Sequence, residues 1–424
     1  AIVPAGIAVD DSFNVYLAAA FPGSIDANPG SGTHIFSTPD STLGTAKSVA
    51  IIKLDAIGDY VWAKHITRNE PVWFAPYKRG IDIQLSGFSI TPKGKLYGYG
   101  NLASSQAGDT LTFDPASQNL VKTFTDTTNT RPFWFEIDKV SGVVSNTGYL
   151  KKNPSGGFQT IRMVFDDDGN KYLTSNFNGT IDISTENKVS QSLSTPSPAT
   201  SFVSIAIVKY DTANEIVWSR LVSSNKSVFA RAIDIDHEGT FYVAGEFQDT
   251  TTFFDPNNVN QVVNVNLTGT VSTPNNTFIA KYDVSGNLKW AKKIDYGQAT
   301  DVNATTTSLS IDPLGNPYVS GQVYGEFNKV GNSYQQYRHG FVTKINVDSA
   351  QLWTMRYGTF PFVNGEFVNV PAVHLNRNNH LVVSGFVRGS GNNINVSPLQ
   401  NDTNYVVRQG AQVAFLLKYA CVDT

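Results

Sequence analysis

A β-propeller of six four-stranded blades is the fold this all-β sequence predicts, and three observations predict it. A two-part phrase returns six times along the 424 residues. Its apolar positions fall in strand-length runs, with no convincing helical period of about 3.6 residues. Short turns carrying Asp and Gly at fixed offsets separate the runs. Such fixed self-similarity marks units that each bury a face against a neighbour, which lets a chain longer than one ordinary core grow by addition.

The first half of the phrase is clearest at Asp236-His237-Glu238-Gly239-Thr240-Phe241-Tyr242-Val243-Ala244-Gly245. Around it, Ile233 to Asp236 and Phe241 to Phe247 are β-branched and aromatic runs across a Gly-containing turn, a hairpin of strands A and B. The second half runs from Phe278 to Trp290, with Thr277 to Tyr282 and Leu288 to Ile294 as strands C and D across Asp-x-x-Gly. Repeats are expected near 6–79, 80–161, 162–231, 232–303, 304–369 and 370–424, together forming one propeller domain over 1–424.

Aligning the copies gives columns with physical jobs. Tyr16, Tyr97, Tyr172, Tyr242, Tyr318 and Val382 share one, and three positions later come Ala19, Gly100, Ser175, Gly245, Gly321 and Gly385, small enough for close backbone approach between blades. Trp62, Trp218, Trp290 and Trp353 recur in strand D, where a large ring fills the widening wedge between outer strands. Lys53, Glu136, Lys209, Lys281, Lys344 and Lys418 precede an Asp or Asn in five copies; beside an exposed C to D turn they are expected to be solvated.

Copy two departs by its Glu136 and by Gly142-Val143-Val144-Ser145, which has no tryptophan, and copy six stops after strand C at Lys418-Tyr419-Ala420-Cys421. The last blade is therefore expected to be completed by an N-terminal strand, Ala1-Ile2-Val3-Pro4, or by a partner pairing with the open edge.

Composition excludes several classes. Hydrophobic content of 41% rules out a disordered chain, and a net charge of -3 with no basic block argues against nucleic acid. No apolar run reaches the roughly 18 residues of a membrane helix. Cys421 is the single cysteine, so the fold holds without an internal disulfide. The first residue is Ala1, from which processing is expected, and the seven N-x-S/T sequons of this Asn- and Thr-rich chain read most simply as chance. The six histidines have no metal-ligand spacing, and HExxH, GxSxG and the phosphate-binding loop do not occur. Asp166-Asp167-Asp168-Gly169-Asn170 resembles part of a calcium loop but lacks the distal glutamate, so a plain hairpin is the expectation and no cofactor or catalytic residue is assigned.

Recognition should then lie on the B to C and D to A connections, which differ in every copy while the A to B and C to D turns stay short. The B to C stretches are 22–48, 103–132, 178–202, 248–276, 324–340 and 388–413. Several repeat a small motif, at Gly23 to Gly30, Leu111 to Pro115, Gly179 to Ile183 and Thr252 to Pro256, whose recurrence reads as scaffold. Exposed rings outside the columns are the candidate contacts: Trp73, Phe74 and Tyr77 in one D to A connection, Phe360 and Phe362 in another, and Tyr334 and Tyr337 in the fifth B to C stretch.

The small-loop motif followed by Lys-Tyr-Asp-x-x-Gly-Asn-x-x-Trp-Ala-Lys resembles the SBBP-type β-propeller repeats of secreted bacterial proteins, especially of Bacteroidetes. Residues 52–64 and 278–294 carry the likeness best, and it covers essentially the whole chain. The resemblance implies a secreted or cell-surface protein, seven blades as an alternative count, and an exit at Ala420 to Thr424 towards a type IX secretion sorting module. It brings no catalytic residues. The expected function is a non-catalytic binding and scaffold propeller that meets a glycan or protein through its long-loop face, or joins an assembly through the sixth blade edge. A secreted polysaccharide hydrolase or lyase is the alternative.

Overall fold

The computed structural model describes residues 2–38, 48–68, 72–74, 77–79, 82–91, 94–104, 110–113, 120–123, 128–151, 157–196, 202–254, 263–265, 276–296, 300–330, 333–357, 367–375, 380–388, 393–395, 405–407 and 412–420. Among the described residues every regular element is a β-strand, and the strands form the six blades of a β-propeller. The chain divides into two compact units, Ala1–Ser194 with Val208–Val217 and Thr195–Ile207 with Trp218–Thr424.

Blade one is β1 (Val3–Val9) and β2 (Val15–Phe21), a small hairpin β3 (Ser24–Asp26) and β4 (Ile35–Ser37), then β5 (Ser48–Leu54) and β6 (Tyr60–Arg68). A hairpin of β7 (Val72–Phe74) and β8 (Tyr77–Arg79) leads to blade two: β9 (Asp82–Ile90), β10 (Leu96–Ser104), the hairpin β11 (Thr110–Phe113) and β12 (Leu120–Thr123), β13 (Thr128–Ile137) and β14 (Val144–Tyr149). Blade three has β15 (Gly157–Phe165), β16 (Lys171–Asn178), a hairpin β17 (Thr180–Asp182) and β18 (Ser192–Ser194), β19 (Ser204–Tyr210) and β20 (Ile216–Ser224). Blade four repeats this with β21 (Val228–Ile235), β22 (Phe241–Phe247), the hairpin β23 (Thr251–Phe254) and β24 (Val263–Val265), β25 (Asn276–Tyr282) and β26 (Leu288–Lys293). In blade five β27 (Thr300–Ile311), β28 (Pro317–Val330), β29 (Ser333–Ile345) and β30 (Gln351–Tyr357) follow without an extra hairpin. Blade six has β31 (Phe367–Leu375), β32 (His380–Arg388), a hairpin β33 (Asn393–Asn395) and β34 (Tyr405–Val407), and β35 (Gln412–Ala420).

Local chemistry explains the uniform turns. In the A to B turns the Oδ1 atoms of Asp10, Asp166, Asp236 and Asp312 accept the amides two and four residues on, and Asp55, Asp283 and Asn346 do the same in C to D turns. The turn needs a residue at positive φ, supplied by Gly169, Gly239 and Gly315 but by Phe13 (φ 62°) in blade one.

Apolar faces of neighbouring blades pack into shared cores. In the first unit Tyr16, Ala18, Val49 and Ile51 of blade one meet Ile83, Phe88, Leu102 and Phe133 of blade two. In the second unit Tyr242, Ala244 and Ile279 meet Ala304, Leu309, Val319 and Phe341, and blade five packs in turn on Val370, Val373 and Val383.

Four expectations are corrected. Val3 and Pro4 continue β1, opposite Ala20 and Ala19, so they are not the outer strand of blade six; among the described residues that blade has three strands and β35 is its edge. The small column does its work inside a blade: a methyl on Gly100, Gly245 or Gly321 would overlap the carbonyl oxygen of Gln84, Phe229 or Thr305 on strand A, where a bulge drives the two strands together. Within 324–340, β28 and β29 simply extend, pairing as far as Val330 opposite Ser333. Three of the column lysines, Lys53, Lys209 and Lys344, are also not solvated but buried.

Candidate functional site

The lysine column faces the tyrosine column across the B to C ladder, as Tyr16 opposite Lys53, Tyr242 opposite Lys281 and Tyr318 opposite Lys344. Each ammonium lies over the ring, 5.3 Å from the centroid for Lys53 and 5.1 Å for Lys344. Its charge then reaches the next blade. Lys53 donates to the Lys139 carbonyl (2.9 Å) and Lys281 to the Val347 carbonyl (3.3 Å), in both cases the carbonyl just after the turn Asp or Asn. Tryptophan reinforces the clasp: Trp290 Nε1 donates to Val347 O at 2.9 Å, Trp218 Nε1 to Val284 O at 3.2 Å, and the Trp62 ring lies against Gly142. Arg220 donates to the carbonyls of Ser219, Gly286 and Ser285. These columns therefore bind the blades to one another.

Copy two shows compensation. Thr91 stands where four other A to B turns have Asp and copy six has Asn376, and Glu136 stands where others have Lys. Elsewhere the pair is Lys344 with Asp312 at 3.5 Å; here it is Glu136 with Lys95 at 3.1 Å, the signs exchanged. The next blade adds Lys171, whose ammonium donates to Asp211 O at 2.8 Å. Burial pulls its pKa down to about 8 against the opposing pull of Asp211 and Glu136.

The recurring B to C motifs behave as scaffold. The β11–β12 hairpin of blade two pairs with β6, with Leu111 opposite Arg68, and the β23–β24 hairpin of blade four pairs with β20, with Phe254 opposite Leu221. Each covers the outer edge of the preceding blade. Asp166 likewise takes four protein donors, the amides of Asp168 and Asn170, the Asn170 amide side chain and Tyr172 OH, and so builds a hairpin.

Of the candidate contacts, Trp73, Phe74 and Tyr77 share the β7–β8 hairpin, where Phe74 is opposite Tyr77. Tyr334 and Tyr337 lie on β29, opposite Lys329 and Gly325. Phe360 and Phe362 lie outside the described residues. A second aromatic group was not singled out by the sequence reading. His34 and Phe36 on the β3–β4 hairpin sit edge to face at 4.9 Å; His34 also meets Tyr60 at 5.7 Å, and Phe36 stacks on His65 at 4.8 Å. Asp26 fixes this hairpin by accepting the amides of Asn28 and His34. With His34 exposed and Phe36 and Tyr60 half-buried, the cluster is partly open to solvent. The signal lay in His34-Ile35-Phe36, a ring pair at strand spacing inside a variable connection.

Perturbed acids also serve the framework. Asp234 is pushed up to about 7 by burial, while its two oxygens accept the amides of Ile235 and, on β27, Ile311. Glu246, raised by burial, is gripped by Arg231 through two contacts of 3.1 and 3.0 Å. Among the described residues no group of three or more His, Cys, Asp or Glu side chains is placed to hold a metal ion. Neither protein-family models nor curated proteins match the chain.

Proposed function

We propose that the protein is a binding and scaffold propeller that acts at the cell surface or after secretion, recognises a glycan or a protein through its variable connections, and serves as a subunit of a surface assembly. One observation carries this reading. Most of the described turns on one side of the blades repeat one design centred on Asp or Asn, whereas the connections on the other side diverge into separate hairpins, β3–β4, β7–β8, β17–β18 and β33–β34, and the extended β28–β29. A rigid frame bearing unlike loops is how recognition surfaces are built. Extracellular placement rests on the likeness of residues 52–64 and 278–294 to SBBP-type repeats.

Rings on the connections supply the contacts, since an exposed aromatic face stacks on a sugar or anchors a partner chain. The test is a glycan array and a pull-down with intact protein, beside a Trp73→Ala, Phe360→Ala double variant and a His34→Ala variant. The double variant should bind at least about tenfold more weakly. Equal binding by all three proteins would reject these rings as the contact residues.

A further inference from the structure

In the second unit, side chains on the first strand of one blade stitch it to the first strand of the next. Ser310, near the end of β27, accepts the Leu375 amide of β31 at 3.2 Å, while Thr307 and Ser308 donate to the Val370 and Val373 carbonyls. One blade earlier the residue in the place of Ser310 is Asp234, whose Oδ2 accepts the Ile311 amide of β27, also at 3.2 Å. The places correspond: each acceptor stands two residues before its own turn residue, Asp236 or Asp312, and each amide one residue before the next, Asp312 or Asn376. A hydroxyl makes one stitch and a carboxyl the other.

Nothing around Asp234 calls for a negative charge. It is half-buried, its Oδ1 accepts the Ile235 amide, and no cation pairs with it among the described residues. Asp236, two residues on, is a like charge that stays ionised, since its Oδ1 takes the Glu238 and Thr240 amides and Lys281 attracts it. Of the strands packed against β21, β22 brings Tyr242 and Glu246, the one donating to the Gly315 carbonyl and the other held by Arg231. β27 brings no titratable group among its described side chains, and Asp312 beyond its end pairs with Lys344 at 3.5 Å. Lost hydration, and then the charge of Asp236, push the Asp234 carboxyl up to about 7 against the pull of the two amides.

We propose that Asp234 is a pH-responsive latch between blades four and five, closed in its neutral form and loosened when it ionises. Neutral, it stitches as Ser310 does; ionised, it is a charge kept from water that opening of the seam would hydrate. The closed seam holds a proton that the opened seam releases between 3.8 and about 7. Closure is therefore strongest in acid, weakens as pH rises through that window and is constant above it. The latch belongs to the frame, and its failure would leave recognition by the connections untouched.

Hydrogen exchange of the full chain, corrected for the intrinsic pH dependence of amide exchange, reads opening at β21 and the Ile311 amide. The Leu375 amide is the internal reference, because its stitch to Ser310 does not titrate. Between about pH 5 and about pH 8, opening of the Asp234 seam should rise on the order of a hundredfold in wild type. It should stay level in Asp234→Ser, which copies the neighbouring stitch, and in Asp234→Asn, with Leu375 level in all three proteins. A wild-type seam no more pH-dependent than that of the variants would overturn the proposal, as would a Leu375 amide that opens in parallel. Should neither variant fold, the carbon-13 shift of the Asp234 carboxyl in wild type decides. A midpoint above about 6 is expected, and one at or below that overturns the latch.

Discussion

Lysine beside an exposed turn ordinarily reads as a solvated charge, yet here the alkyl stem crosses a tyrosine ring and the ammonium crosses to another blade. The register explains it: Lys53 points to the same side as Tyr16, and that side is covered. Hydrogen bonds from a charged donor contribute about 1.5–3 kcal/mol, enough to offset holding one flexible side chain in place. Lys171 makes the cost of such burial measurable. Its pKa is about 8 in the folded protein and 10.5 in the ordinary case, so between those values the unfolded chain binds the proton and the folded one does not. Stability from this group therefore rises with pH across that window and is lost as pH falls through about 8. Relative to Lys171→Met, wild type should gain on the order of 3 kcal/mol between about pH 7.5 and about pH 10.5. Urea midpoints at the two ends check this; parallel pH dependence in both proteins would show that the ammonium is not desolvated.

At the level of the strand and turn, much was legible because one chemical solution is used repeatedly. Asp at the first turn position, Gly or Asn three or four residues on, and β-branched runs either side are enough to place strands A to D. What sequence did not disclose was direction. The glycine column signals close approach, but only the bulges at Leu85–Gly87, Ala230–Ala232 and Thr306–Ser308 show that strand A is what approaches. Likewise, the small motif at Leu111 to Pro115 looks like scaffold without saying that it closes the edge of the blade before it. The His34, Phe36 and Tyr60 group escaped because its members come from two strands 24 residues apart. The bulge reading has a direct consequence. Gly245→Ala should destabilise by about 1–3 kcal/mol, since a backbone carbonyl cannot yield as a flexible side chain can. Gly157→Ala, on a strand with open space at that position, should stay within about 0.5 kcal/mol of wild type. Denaturant titration of both variants decides; equal effects would mean the Phe229 carbonyl relaxes.

Across the whole molecule, identical positions meet different fates according to what packs on them. Ile279 and Leu416 occupy one register on one strand type, and hydropathy alone gives them the same expectation. The first is sealed by blade five, the second is open to water. Removing a sealed aliphatic side chain forfeits its transfer free energy and leaves a cavity, so Ile279→Ala should cost about 2–5 kcal/mol. Leu416→Ala, at an exposed position, should change stability by no more than about 0.5 kcal/mol. A Leu416→Ala variant destabilised as strongly as Ile279→Ala would mean that Leu416 is covered in solution.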